Sequence, residues 1–255
     1  MNEKILQTLL LDRTTGKNIM WATTDRTTDK ISVADVEKIQ PRWKKARDQQ
    51  KLRTRERAEI FTPHEVCDAQ NNLIADQSDG EKFIDAKFLE ITCGEAPYLV
   101  SRYDVVTGEE ISIDKRVGLL DRKLRVISEY NQPVGQWLPL AIRALKSCYG
   151  YEFQGDNLFL ARKNVFETVE DFFRAQFDRE PPEDFLSKIA EIISWNLWQM
   201  DGCSKFTIPY AKPPKKPDQL SLFELAPPEN IFCKIMDWAT DTPIVFRDLV
   251  KKGAR

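Results

Sequence analysis

Apolar positions along the chain switch between a period near two and a period near three and a half, a pattern that predicts strands interleaved with helices. From Phe61 onward the spacing predicts a helix from about His64 to Asn72, a strand ending at Glu90, and a helix from about Pro97 to Tyr103. Val106-Thr107-Gly108-Glu109-Glu110 has the composition of a turn, and Ile111 to Ile113 reads as a short extended piece. Val117, Leu120, Leu124 and Ile127 recur at helical spacing within a helix expected from Arg116 to Tyr130, and a further helix is expected from Trp137 to Ser147. A second strand, from Tyr149 to Phe153, carries Glu152 near its end and precedes a long helix from Ala161 to Phe177. Leu186, Ile189, Ile192, Ile193 and Leu197 form a core-facing stripe on a helix from Phe185 to about Trp198. Ile231 to Asp237 reads as a final strand, and Pro243 to Val250 closes the chain. Such alternation implies an α/β fold with a mostly parallel sheet.

The flanks differ in character. Residues 1–57 form a Thr-rich arm followed by a basic helical candidate, an extension to a core spanning 58–206. Asp12-Arg13-Thr14-Thr15-Gly16-Lys17-Asn18 has turn content; it resembles the end of a phosphate-binding loop, but lacks that loop's first glycine and has Asn18 where a Ser or Thr would hold magnesium. Residues 207–229 contain Pro209, Pro213, Pro214, Pro217, Pro227 and Pro228, which excludes regular helix or a central strand and marks a linker before the closing segment 230–255.

Composition narrows the class. A chain of 255 residues with 42% hydrophobic content can bury a sizeable core. No apolar run approaches the roughly 20 residues that span a bilayer, and Asp12-Arg13 interrupts the early Leu9-Leu10-Leu11 run, so a soluble, cytoplasmic protein is expected. Five cysteines at 67, 93, 148, 203 and 233 make neither a disulfide framework nor a paired zinc motif, and His64 has no second histidine to share a metal. A net charge of −2 argues against a protein that coats nucleic acid. Positive charge is nevertheless concentrated between Arg42 and Arg57, which reads either as a phosphate-binding face or as a solvated helix of mixed charge.

Two segments carry the chemistry. Ala58-Glu59-Ile60-Phe61-Thr62-Pro63-His64 is followed about thirty residues later by Phe88-Leu89-Glu90-Ile91-Thr92-Cys93-Gly94-Glu95-Ala96-Pro97-Tyr98-Leu99, an apolar strand ending in an acid and a Cys-Gly turn. In that order they resemble the start of the amino-directed DNA methyltransferases of bacterial restriction-modification systems. Arg116 to Arg125, Gly155 to Arg162 and Ile193 to Gly202 are similar to further segments of the modification subunits, so the resemblance covers most of the chain. It implies a doubly wound, mostly parallel sheet of the S-adenosylmethionine-dependent type, with S-adenosylmethionine as cofactor and double-stranded DNA as partner.

The resemblance places Phe61 over the adenine ring, Pro63 in the wall, Glu90 on the methionine amino group or the sugar, Cys93 and Gly94 in the loop against the cofactor, and Glu152 on the ribose. Asp156 or Asp237 would hold the adenine amine, with Asp237 preferred. Family loops carry further glycines where this chain has Ala96 and Pro97, which narrow the loop. The family's Asn/Asp-Pro-Pro-aromatic tetrapeptide, which holds the flipped adenine, is absent. The nearest substitute is Asn196-Leu197-Trp198-Gln199, giving Asn196 and Trp198 as catalytic candidates against the alternative of a buried tryptophan cluster with Trp195. Gln219-Leu220-Ser221-Leu222-Phe223 matches the peptide by which bacterial proteins dock on the replication sliding clamp, with Gln219, Leu220, Leu222 and Phe223 as contacts; the alternative is that these residues fold back on the protein. Three functions follow: an adenine-specific DNA methyltransferase, working with a restriction or specificity subunit; a non-catalytic relative that binds DNA or assembles on the clamp; or a phage or mobile-element protein that binds a host replication factor, with the methyltransferase-like core as scaffold.

Overall fold

The computed structural model describes residues 1–23, 26–75, 80–203, 206–210 and 231–253. Chain order runs through helix α1 (Glu3–Leu10), strands β1 (Leu11–Asp12) and β2 (Lys17–Asn18), and helices α2 (Arg47–Arg57), α3 (His64–Ile74) and α4 (Gly80–Asp85). Next come strand β3 (Phe88–Glu90), helices α5 (Leu119–Glu129) and α6 (Val134–Lys146), strand β4 (Cys148–Glu152), helices α7 (Gly155–Phe177) and α8 (Glu183–Asn196), and strand β5 (Leu197–Gln199). Strands β6 (Lys234–Asp237) and β7 (Thr242–Val245) and helix α9 (Phe246–Gly253) follow.

The architecture is mixed α/β around a three-stranded parallel sheet in the order β3-β4-β5. Phe88 lies opposite Cys148 and Gly150 opposite Leu197, so Glu90, Glu152 and Gln199 all sit at the carboxyl ends of their strands. Of the helices between successive parallel strands, α6, α7 and α8 pack on this sheet, and α5 packs on α6 and α7. Trp137 of α6 is fully buried and makes edge contacts with Phe173, Phe177 and Phe185 at centroid distances of 5.6, 5.9 and 6.3 Å.

The first 57 residues share this core. Ile5, Leu9, Leu10, Ile19 and Ile31 are buried in the same apolar cluster as α5 to α8. The buried Arg162 holds them there, donating to the carbonyl oxygens of Leu9 and Leu11 at 2.6 and 3.0 Å and to Leu197 at 2.8 Å. Asp12 to Gly16 forms the turn of the β1-β2 hairpin, with the Asp12 carboxylate accepting from the Thr14 and Thr15 N–H groups. Strands β6 and β7 pair antiparallel, and a second apolar cluster joins Trp198 and Met200 to Cys233, Ile235 and Phe246. No helix among the described residues is long and apolar enough to cross a membrane.

Two expected helices change. The segment from Pro97 to Tyr103 is turn rather than helix, because partners distant in sequence claim its backbone: Glu90 accepts from the N–H groups of Tyr98 and Leu99, while their carbonyls accept from Leu119 and Leu120. The helix through Phe185 stops at Asn196, and Leu197, Trp198 and Gln199 pair with β4 instead.

Candidate functional site

A cleft of about 420 Å³ opens beside β3 and its carboxyl end. Its walls come from Phe61 and Thr62 ahead of α3, from Gln70 and Ile74 on α3, and from the strand-loop Phe88 to Tyr98. Phe61, Glu90, Cys93 and Gly94 therefore converge on one space. Ile60, Ile74, Leu89 and Ile91 keep 77, 58, 45 and 64% of their surface exposed, making the rim apolar. The volume falls in the range of small-molecule pockets, which pair apolar walls with a few placed polar groups.

The loop is shaped by unusual backbone and by buried acids. Thr92, Gly94 and Ala96 all adopt left-handed conformations, at φ of 48, 55 and 65°. Thus Ala96 takes a conformation that favours glycine, and the loop retains the alternation at a strain of about 1–2 kcal/mol for each non-glycine. A Cβ on Gly94 would come 3.2 Å from Cε1 of the Phe61 ring, so the absent side chain lets that ring close over the loop. The Glu152 carboxylate accepts from the N–H of Gly94 at 2.9 Å and of Gln154 at 3.0 Å, tying the ends of β3 and β4 together.

Glu90 lies at the cleft floor, with its oxygens 3.3 and 3.2 Å from the N–H groups of Tyr98 and Leu99. Burial pushes its carboxyl up to about 8, the two N–H donors oppose this, and the charge of Glu152 adds to it. Among the described residues no Lys or Arg pairs with Glu90. Burial likewise raises Glu152 and drives the Cys93 thiol well above its ordinary range, so Cys93 is an apolar wall rather than a nucleophile. An uncompensated acid, an aromatic ring and a glycine loop suit a ligand that brings a cationic amine and a planar ring.

Other expected site residues lie elsewhere. Pro63 caps α3 beside the cleft, and the N–H of His64 donates to Asp104 at 2.8 Å. Asn196 sits at the amino edge of the sheet, the end opposite the loop of the cleft. Its amide donates to the carbonyls of Leu145 and Cys148, both at 3.0 Å, and accepts from the Trp238 indole at 2.8 Å. Trp198 packs against Tyr151 and Phe246 at 5.8 and 5.0 Å. Asp237 ends β6, where it accepts from the N–H of Ala239 at 3.0 Å. The peptide Gln219 to Phe223 lies outside the described residues.

The basic stretch divides in two. Arg53 and Lys45 turn inward to Asp156, at 2.9 and 3.1 Å, and Arg53 also pairs with Glu59 at 2.6 Å. Asp156 is thereby held below the usual carboxylate range by these two cations, against its burial, and is committed to the interior. Tyr98, whose hydroxyl donates to Gln70 across the cleft, was not anticipated as a lining residue; its place in the Cys-Gly segment is the signal that could have shown it. Comparisons with protein-family models, with curated proteins and with solved structures each return no match.

Proposed function

We propose that the chain binds S-adenosylmethionine in the cleft beside β3 and acts as the modification component that methylates adenine in double-stranded DNA. The observation that carries this reading is the convergence of Phe61, Glu90, Cys93 and Gly94 around one cleft at the carboxyl end of a parallel strand, the place where open α/β sheets take nucleotides. On this reading β3-β4-β5 is one half of a doubly wound sheet of the methyltransferase type. Phe61 covers the adenine and Glu90 takes the amino group, while Glu152, which does not line the cleft, acts on the ligand through the Gly94 loop that it holds. The cofactor supplies an activated methyl group; the protein orients it and keeps water from it.

One observation favours a second reading. Asn196 and Trp198, which would hold the flipped base, have their polar atoms and faces engaged away from the cleft. A non-catalytic relative would keep the cofactor cleft while serving as a DNA-binding or assembly subunit, docked on the sliding clamp through Gln219 to Phe223. Calorimetry with S-adenosylmethionine on wild type, Glu90→Ala and Gly94→Trp tests the cleft. Micromolar binding that both substitutions abolish supports the cofactor, and no binding at millimolar cofactor refutes it. Binding without methyl transfer to DNA selects the second reading, and clamp binding that survives Leu222→Ala with Phe223→Ala removes the docking role.

A further inference from the structure

Helix α2 puts its two faces to opposite uses. The inner face is clamped to the core by buried charge: Arg53 reaches Asp156 through both terminal nitrogens, at 2.9 and 3.0 Å, and its Nε donates to Glu59. The outer face carries Arg47, Lys51 and Arg55 at intervals of four, all exposed, and with Arg42, Gln50 and Thr54 they line a groove of about 440 Å³. Like charges at this spacing cost a few tenths of a kcal/mol per pair. Among the described residues no carboxylate pairs with Arg47 or Lys51, while Arg55 meets only the exposed Glu56 at 3.2 Å. Neither Asp48 nor Glu56 lines the groove. A rigidly anchored helix thus presents three outward cations at steps of about 6 Å.

The groove is joined to the cleft. Arg42 lines the groove, and its guanidinium lies 5.3 Å from the centre of the Phe61 ring, which walls the cleft and covers Gly94. The Arg42 side chain is fixed by donation to the Glu59 carbonyl at 2.7 Å and to the Thr54 hydroxyl at 3.3 Å. A strand held along α2 therefore passes within one side chain of the cleft.

We propose that this groove binds the phosphodiester backbone of double-stranded DNA, with Arg47, Lys51 and Arg55 as the phosphate contacts. The choice of DNA among polyanions rests on the function proposed above; the electrostatic site itself does not. Phosphate contacts release counterions, so each one removed lowers the slope of log affinity against log salt by about 0.9.

The test is fluorescence anisotropy of a labelled duplex against KCl concentration, without cofactor, for wild type and the Arg47→Ala, Lys51→Ala, Arg55→Ala triple variant. The expected result is a slope smaller by about 2 to 3 and a loss of at least tenfold in affinity at 100 mM KCl. Circular dichroism should stay unchanged and melting should not fall, because all three side chains are solvent-facing and their mutual repulsion is removed. The control Lys163→Ala with Lys188→Ala, two partly exposed lysines that already have carboxylate partners, should keep the wild-type slope. An unchanged slope in the triple variant, or no duplex binding by wild type at 50 mM KCl, overturns the proposal, as does equal loss in the control. Binding to phosphatidylserine vesicles in place of DNA also overturns it. Because cofactor binding is measured separately, failure of the groove leaves the cleft standing, and failure of the cleft leaves the groove standing.

Discussion

Glu90→Gln tests whether the cleft floor holds a carboxyl that prefers its proton. Burial is the largest cause of the rise from 4.5 to about 8, so across that window the native protein keeps a proton that the unfolded chain has released. Linkage then makes stability fall as pH rises from about 4.5, with the loss complete above about 8. At about 1.36 kcal/mol per pH unit where the difference is full, the Glu90 contribution between pH 5.5 and pH 8 amounts to a loss of about 3 kcal/mol. Gln cannot ionise and offers one oxygen where the carboxyl offers two, to Tyr98 and Leu99, so it forfeits about 1–2 kcal/mol of hydrogen bonding at every pH. The variant should accordingly be less stable than wild type at pH 4.5, where wild type has lost only about 0.4 kcal/mol of the Glu90 contribution, about as stable near pH 5.5, and more stable at pH 8.

Urea unfolding followed by tryptophan fluorescence at four pH values between these limits measures the crossing. Asp121, raised to about 6 by burial, also costs stability as pH rises, but it does so in both proteins and cancels in the difference; Glu152, whose charge helps raise Glu90, is coupled to it and belongs to the difference. Profiles that run parallel from pH 5.5 to pH 8 would refute the argument, since they would mean that Glu90 ionises as readily folded as unfolded. A cationic ligand on Glu90 should stabilise the carboxylate. S-adenosylmethionine binding at pH 7 is then expected to release protons, visible as a dependence of calorimetric heat on the buffer, and Glu90→Gln should abolish that dependence.

Three further substitutions probe how the site is held. Thr92 is exposed, β-branched and left-handed at φ 48°, so Thr92→Gly should stabilise by about 1 kcal/mol and raise the melting temperature by about 2–4 °C; an unchanged or lower melting temperature would contradict the strain. A Cβ on Gly155 would strike the carbonyl oxygen of Met20, whose neighbour Trp21 accepts from the Gly155 N–H at 2.9 Å. Gly155→Ala should therefore cost at least about 2 kcal/mol in urea unfolding, by forcing the amino-terminal segment off α7. Asp156→Ala leaves Arg53 and Lys45 without their shared carboxylate, an expected loss of about 3–5 kcal/mol in the same assay, whereas a loss under 1 kcal/mol would show the cluster to be dispensable.

What the sequence disclosed followed from local pattern. The strands ending near Glu90 and Glu152 were legible because an apolar run stops at an acid and a turn, and α5, α6 and α7 because their apolar residues repeat at helical spacing. The turn at Pro97 to Tyr103 was not, because Glu90, Leu119 and Leu120 claim its backbone groups, and periodicity cannot see such partners. The division of the basic stretch was equally hidden: Arg53 and Lys51 have the same local composition, and Asp156, 103 residues after Arg53, together with the buried Glu59, turns one inward while the other faces solvent.

The loop joins these two lessons. With Ala96 and Pro97 in place of glycines its sequence reads as narrowed, yet Ala96 still takes the left-handed turn. Glu152 and Glu90 hold the flanking N–H groups that shape it. The two acids that the methyltransferase resemblance assigns to a cofactor are therefore also structural parts of the loop. Loss of ligand binding on their removal would not by itself separate contact from collapse. The stability crossing at Glu90 and proton release on binding do separate them, because an acid that only shapes the loop would show the first and not the second.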